Sequence, residues 1–128
     1  MPIVDANIIL RYLLNDHPVL SPRAKEMILS GAQTTTEVLA EVVYVLARVY
    51  KVDRPAIAAG LESFLHEIVV PEKSAIIYAC RLFGSRSLDF VDCLLAGYHH
   101  MNGSKILTFD MKLGKVLHHD PLTQSDVE

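Results

Sequence analysis

Two rhythms of apolar residues alternate along the chain: short apolar runs closed by polar, Gly or Pro positions, and longer stretches in which apolar residues recur every three or four places. Ile3-Val4 reads as a strand ending at Asp5, with a helix following over about 6–14. Asn15-Asp16-His17-Pro18 is a loop. Ser21-Pro22 starts a second helix, with Ser as N-cap and Pro in the first helical position, and Gly31 stops it. Residues 33–35 form a second strand. The helix over about 36–50 carries Val38, Val42, Val45, Leu46 and Val49 on one face. Asp53 caps a helix reaching about 66, and Ile68-Val69-Val70 is a short β-rich run closed by Pro71. A helix over about 73–83 gives way to a turn at 84–87, and a further helix over about 89–101 stops at Asn102-Gly103. Residues 105–108 form the last strand, with a short helical piece after Asp110.

Such alternation predicts an α/β fold of three layers, a short parallel sheet with helices on both faces. No internal repeat, low-complexity segment or linker interrupts it, so residues 1–128 are expected to be one domain, with about 121–128 as a flexible tail.

Composition narrows the class. Hydrophobic residues make up 51% and charged residues 21% of 128, which places the chain among folded globular proteins. The stretch 90–101 is interrupted by Asp92, His99 and His100, so it falls short of the roughly 20 apolar residues of a membrane span. The opening Met1-Pro2-Ile3-Val4-Asp5 has neither a basic region nor a small-residue cleavage site, so no secretory signal and a cytoplasmic location are expected. Cys80 and Cys93 sit in apolar helical contexts and read as buried free thiols. The surplus of apolar residues for so short a chain predicts a homodimer, alone or with a partner. The net charge of −3 argues against a DNA binder that works by neutralising phosphates. It leaves room for a nuclease whose positive charge arrives as a metal ion held by carboxylates.

The acids carry the candidate chemistry. In open parallel sheets ligands bind beyond the carboxyl ends of strands. Asp5 follows the first strand and Asp110 the last, so both are placed at that edge; helix N-capping is the alternative for either. Glu41 is expected within roughly 40–60° of the helix face carrying the core valines. A carboxylate there must be paired, with Arg11 or Arg81 for instance, or protonated, or bound to a cation. Asp89 and Asp92, three residues apart, share a face and repel. Asp89 is read as a cap or a supporting group, and Asp92, inside the first turn of an apolar helix, as the metal ligand. Carboxylates converging from four elements repel or take up protons unless a hard divalent cation such as Mg²⁺ or Mn²⁺ joins them. Such an ion is a standard means of attacking a phosphodiester. No glycine-rich phosphate loop and no serine or cysteine nucleophile in a recognisable setting competes with it.

These residues resemble a known family. Asp5-Ala6-Asn7-Ile8-Ile9-Leu10-Arg11-Tyr12-Leu13 resembles the opening of PIN-domain proteins, particularly the VapC-like toxin ribonucleases of type II toxin–antitoxin systems. Val38-Leu39-Ala40-Glu41-Val42-Val43-Tyr44-Val45-Leu46 is similar to that family's second acidic segment, Leu88-Asp89-Phe90-Val91-Asp92-Cys93-Leu94 to its third, and Leu107-Thr108-Phe109-Asp110-Met111-Lys112-Leu113 to its fourth. The resemblance spans essentially the whole chain, in order. It implies a PIN-like fold, Mg²⁺- or Mn²⁺-dependent cleavage of RNA, a homodimer and an antitoxin that blocks the site. It further implies a catalytic quartet of Asp5, Glu41, Asp92 and Asp110, with Asp5, Asp92 and Asp110 on the metal. Asn7, Asp89 and Thr108 would be supporting neighbours that orient a carboxylate or a water. The third segment departs from the pattern by being doubly acidic, which leaves Asp89 as an alternative to Asp92. A PIN nuclease of RNA processing and a PIN-like binding module without turnover are the alternatives to a toxin.

The pairs His99-His100 and His118-His119 are not assigned to metal, because adjacent helical residues point about 100° apart. Arg11, Arg48, Lys51 and Arg86 are candidates to line an RNA path, against the plainer account of solvated surface cations.

Overall fold

The computed structural model describes residues 1–122. Among them run seven helices: α1 (Ala6–Leu14), α2 (Leu20–Leu29), α3 (Thr36–Arg48), α4 (Arg54–Phe64), α5 (Lys73–Ser85), α6 (Phe90–Asn102) and α7 (Met111–His118). Their starts follow capping chemistry. The Asp5, Thr35, Asp53 and Asp110 side chains accept from the amides of Ile8, Val38, Ala56 and Leu113, satisfying donors that have no intrahelical partner. Gly103, with φ +74°, closes α6 in a left-handed conformation that costs glycine little.

The expected N-cap Ser21 is corrected. The α2 helix begins at Leu20, and Ser21 is buried inside it, its hydroxyl donating to the Arg11 carbonyl at 2.7 Å and accepting from the His17 amide at 3.2 Å. The serine ties α2 to α1 and to the loop after it, and that tertiary bonding outweighs the local capping preference.

The expected strands reduce to a minimal parallel ladder. Ile3 pairs with Gln33 and Gln33 with Val69, so the second segment lies between the other two. The bonds are Val4 N–H to the Gln33 carbonyl and Gln33 N–H to that of Pro2, both 2.9 Å, with Thr34 N–H to the Val69 carbonyl at 2.9 Å and Val69 N–H to that of Ala32 at 3.0 Å. Residues 105–108 form no strand, contrary to the sequence expectation: Leu107 is 84% exposed and the segment makes no ladder bond among the described residues. An apolar run with nothing to pair against stays irregular, because a strand is stabilised by its neighbour.

The core lies between this ladder and the helices. Ile9 and Leu10 of α1, Leu39, Val42, Val43 and Leu46 of α3, Phe64 and Leu65 at the end of α4, and Leu82 and Phe83 of α5 all belong to it. Packed against both α4 and α6, α5 is buried nearly all round. Gly97 lets α6 approach α5 closely, since a Cβ there would collide with the Ala75 carbonyl oxygen. Cys80 and Cys93 are free and buried, as expected. Of the expected tail, Pro121 and Leu122 are half-buried, and the Arg86 guanidinium donates to the Pro121 carbonyl at 3.0 Å. Residues 123–128 lie outside the described residues. Among the described residues no helix is long and apolar enough to cross a membrane.

Candidate active site

Each predicted acid sits at or near a helix N-terminus except Glu41. Asp5 and Asp110 both cap, through Oδ1 alone: Asp5 accepts from Ile8 N–H at 3.0 Å and Asp110 from Leu113 N–H at 2.8 Å. Capping therefore occupies one oxygen of each carboxylate and leaves Oδ2 without a hydrogen bond among the described residues. The two readings considered for these acids are compatible. Thr108 supports Asp110 from behind, its hydroxyl accepting the Asp110 backbone N–H at 3.0 Å. Asn7 is exposed in the first turn of α1.

Asp89 holds the N-cap position of α6, but its side chain makes no capping bond, so its reading as a cap is corrected. Only its backbone carbonyl works there, accepting from Cys93 N–H at 2.9 Å. Asp92, one turn on, is half-buried and has no hydrogen bond or ion pair among the described residues. Burial pushes its carboxyl above the ordinary carboxylate range, and the negative charges of Asp110 and Asp89 add to the rise. Asp92 thus lies under the charges of two further acids at the N-termini of α6 and α7, and none of the three has a cationic partner among the described residues.

Glu41 does not face the core. It is exposed, and neither suggested arginine pairs with it: Arg11 binds Asp16 at 2.9 Å and the Tyr50 hydroxyl at 2.7 Å, while Arg81 binds Glu62 at 2.9 Å. The α3 helix carries two apolar stripes. Leu39, Val42, Val43 and Leu46 form the buried one, whereas Val38 and Val45 are half-buried and Val49 is exposed. At about 100° per residue, Glu41 lies roughly 150° from the centre of the buried stripe. It needs no burial to explain it.

Sequence reasoning missed Arg54, which holds the approach to Asp89 in shape. Its guanidinium donates to the carbonyls of Phe83 (3.0 Å), Arg86 (2.7 Å) and Leu88, and stacks 3.7 Å from the Phe83 ring centroid. A signal existed: a cation in the first turn of α4 opposes the helix dipole, so a specific partner was called for.

The pattern of the PIN domain matches residues 3–117 of the chain, a span that contains all four acids of the expected quartet. The chain belongs to the PIN-domain family. PIN domains are α/β proteins and nucleases in general; they act on RNA and generally use divalent metals. The Ile3–Gln33 and Gln33–Val69 bridges are parallel, though they do not amount to a sheet. No curated protein matches the chain.

The donor set fits a divalent cation in its chemistry: hard carboxylate oxygens, Oδ2 of Asp5 and Asp110 without hydrogen bonds among the described residues, and an Asp92 unpaired among them, whose repulsion a cation would relieve. The distances are open. Among the described residues no three His, Cys, Asp or Glu side chains stand close enough to hold one ion together. The charges acting on Asp92 come from Asp110 and Asp89, not from Asp5 or Glu41.

Proposed function

We propose that the protein is a Mg²⁺- or Mn²⁺-dependent endoribonuclease that hydrolyses RNA phosphodiester bonds as the toxin of a toxin–antitoxin pair. One observation carries the reading: within a PIN domain, the half-buried Asp92 lies under the negative charges of Asp110 and Asp89 with no cationic partner among the described residues. Asp5, Asp92 and Asp110 would hold the ion, which would have to draw them closer than they stand here, and Glu41 would complete the acidic quartet, with Asp89 beside Asp92 as a second acid of the same segment. When bound, the ion would supply Lewis-acid chemistry, lowering the pKa of water and offsetting phosphate charge.

The chain's own residues prepare the site. The α1 and α7 caps fix the Asp5 and Asp110 carboxylates in orientation, and Thr108 shapes the backbone that delivers Asp110. The N-terminal dipoles of α1, α6 and α7 offset part of the negative charge, an effect of about 0.3–1 kcal/mol at each end. Arg54 keeps the turn before Asp89 in place.

Cleavage of labelled RNA by purified protein tests this. Activity with Mg²⁺ or Mn²⁺, its loss in excess EDTA and its loss in Asp5→Asn are expected; full activity in EDTA ends the metal mechanism. For the toxin role, expression in a bacterial host should arrest growth and Asp5→Asn should relieve the arrest. Cleavage without growth arrest favours a nuclease of RNA processing. The exposed run Leu107 (84%), Phe109 (107%) and Met111 (79%) supports an interface with a second copy or an antitoxin. Light scattering at tens of micromolar should show a dimer, alone or with the partner.

A further inference from the structure

A groove of about 360 Å³ lies between the second half of α3 and the start of α6, and the reading above gives its α3 side no role. Ala40, Val43 and Ala47 give its lining small apolar side chains; Tyr44 and Arg48 line it from α3, Arg54 from α4, and Asp89 and Asp92 from the start of α6. We infer that this groove seats one nucleoside of single-stranded RNA beside the acidic site, its base stacked on Tyr44 and a phosphate held by Arg48. The inference rests on the ribonuclease reading and names where that substrate lies.

Three observations carry it. Tyr44 is 63% exposed although it is a large aromatic on a well-packed helix, so much of its ring stands open to solvent, with the Arg48 guanidinium over it. The Arg48 guanidinium lies 5.9 Å from the centroid of that ring and makes no ion pair or hydrogen bond among the described residues. The other arginines on α1, α4 and α5 and at the end of α5 are engaged: Arg11 by Asp16, Arg54 and Arg86 by backbone carbonyls, Arg81 by Glu62. Arg48 is thus a cation without a carboxylate or carbonyl partner among the described residues, held against the one exposed aromatic of this groove. Finally, Glu41, Tyr44 and Arg48 follow one another along the outer face of α3, over about 10 Å of helix axis. A strand bound along that face passes from Arg48 toward the acids.

The charge balance points the same way. With a net charge of −3, the chain cannot gather RNA by bulk attraction, so affinity must come from local contacts. Stacking supplies such affinity without dependence on base identity. It also requires an unstacked base, which a duplex does not offer.

Binding of a fluorescein-labelled single-stranded RNA octamer, followed by anisotropy in Mg²⁺, tests the inference in an Asp5→Asn background that prevents cleavage. Adding Tyr44→Ala should weaken binding about fivefold to a hundredfold. Tyr44→Phe, which keeps the ring, should bind within about twofold of the parent. Arg48→Ala should lower the slope of log K against log salt by about 0.7, the share of one phosphate on a single strand. Because Tyr44 and Arg48 are exposed, thermal melts of these variants should match the parent. Equal affinity of the parent and its Tyr44→Ala form overturns the inference, as does a parent that binds no RNA. If the wild-type protein cleaves no RNA yet binds it through Tyr44, the groove stands and the nuclease reading falls. If it cleaves while Tyr44→Ala binds like the parent, the reverse holds.

Discussion

Replacing Asp92 by asparagine separates a metal ligand from a scaffold residue. Asp92 accepts no hydrogen bond among the described residues, so the amide removes none. It does remove a charge that burial, Asp110 and Asp89 all disfavour. Because the folded carboxyl titrates above the unfolded one, its contribution to stability is full at low pH. That contribution is lost as pH rises from the ordinary carboxylate value through the raised one, so at neutral pH the ionised form is a net cost. Relief of like-charge repulsion on a helix is worth about 0.2–0.5 kcal/mol per pair. Against it stands the lost interaction of a first-turn carboxylate with the helix dipole, about 0.3–1 kcal/mol. The terms nearly cancel, so Asp92→Asn in EDTA should melt within roughly 2 °C of wild type. The metal breaks the tie. At ten times Kd a bound ion stabilises the native state by about 1.4 kcal/mol, or roughly 5 °C in a chain of this length. Wild type should show this shift and Asp92→Asn much less of it. Thermal melts of both proteins with EDTA and with Mg²⁺ are the assay. A mutant several degrees below wild type in EDTA, with equal Mg²⁺ shifts for both, refutes the assignment and makes Asp92 scaffolding.

The capping acids should behave differently from Asp92. Asp5→Ala and Asp110→Ala lose a capping bond and about 1 kcal/mol each in denaturant melts, whereas the asparagine variants keep the acceptor and most of the stability while still losing cleavage. Arg54→Ala strands three carbonyls and should cost about 1.5–3 kcal/mol by chemical denaturation, with cleavage falling as the turn before Asp89 loosens; unchanged stability would show that the stack and its bonds contribute nothing. Burial pushes the Cys80 and Cys93 thiols up to about 12, so iodoacetamide at pH 8 should label neither in the native protein and both in denaturant, as read by mass spectrometry.

Helix positions were legible in the sequence because capping is local. The Asp5, Asp53 and Gly103 signals are each settled within a few residues of the chain, and the structure has them where the pattern puts them. Glu41 was misread because the sequence shows two apolar stripes on α3 without saying which one the rest of the molecule covers; packing selected the Leu39–Val42–Val43–Leu46 side. The segment 105–108 was misread for a related reason. Its composition suits a strand, but a strand exists only if another segment lies beside it, and that depends on where α6 and α7 bring the chain.

The same division runs through the site. The order of the acidic segments, and with it the PIN family, is a property of the linear chain, since it needs only residue identity and spacing. Which acids act on one another is not such a property. That Asp92 is pressed by Asp110, eighteen positions away, that Asp89 sits at a helix cap with its carboxylate free, and that Arg54 reaches across to the carbonyls before α6 were decided by tertiary packing. Electrostatic coupling depends on distance through space and on burial, and neither is written in the order of residues until the helices have docked.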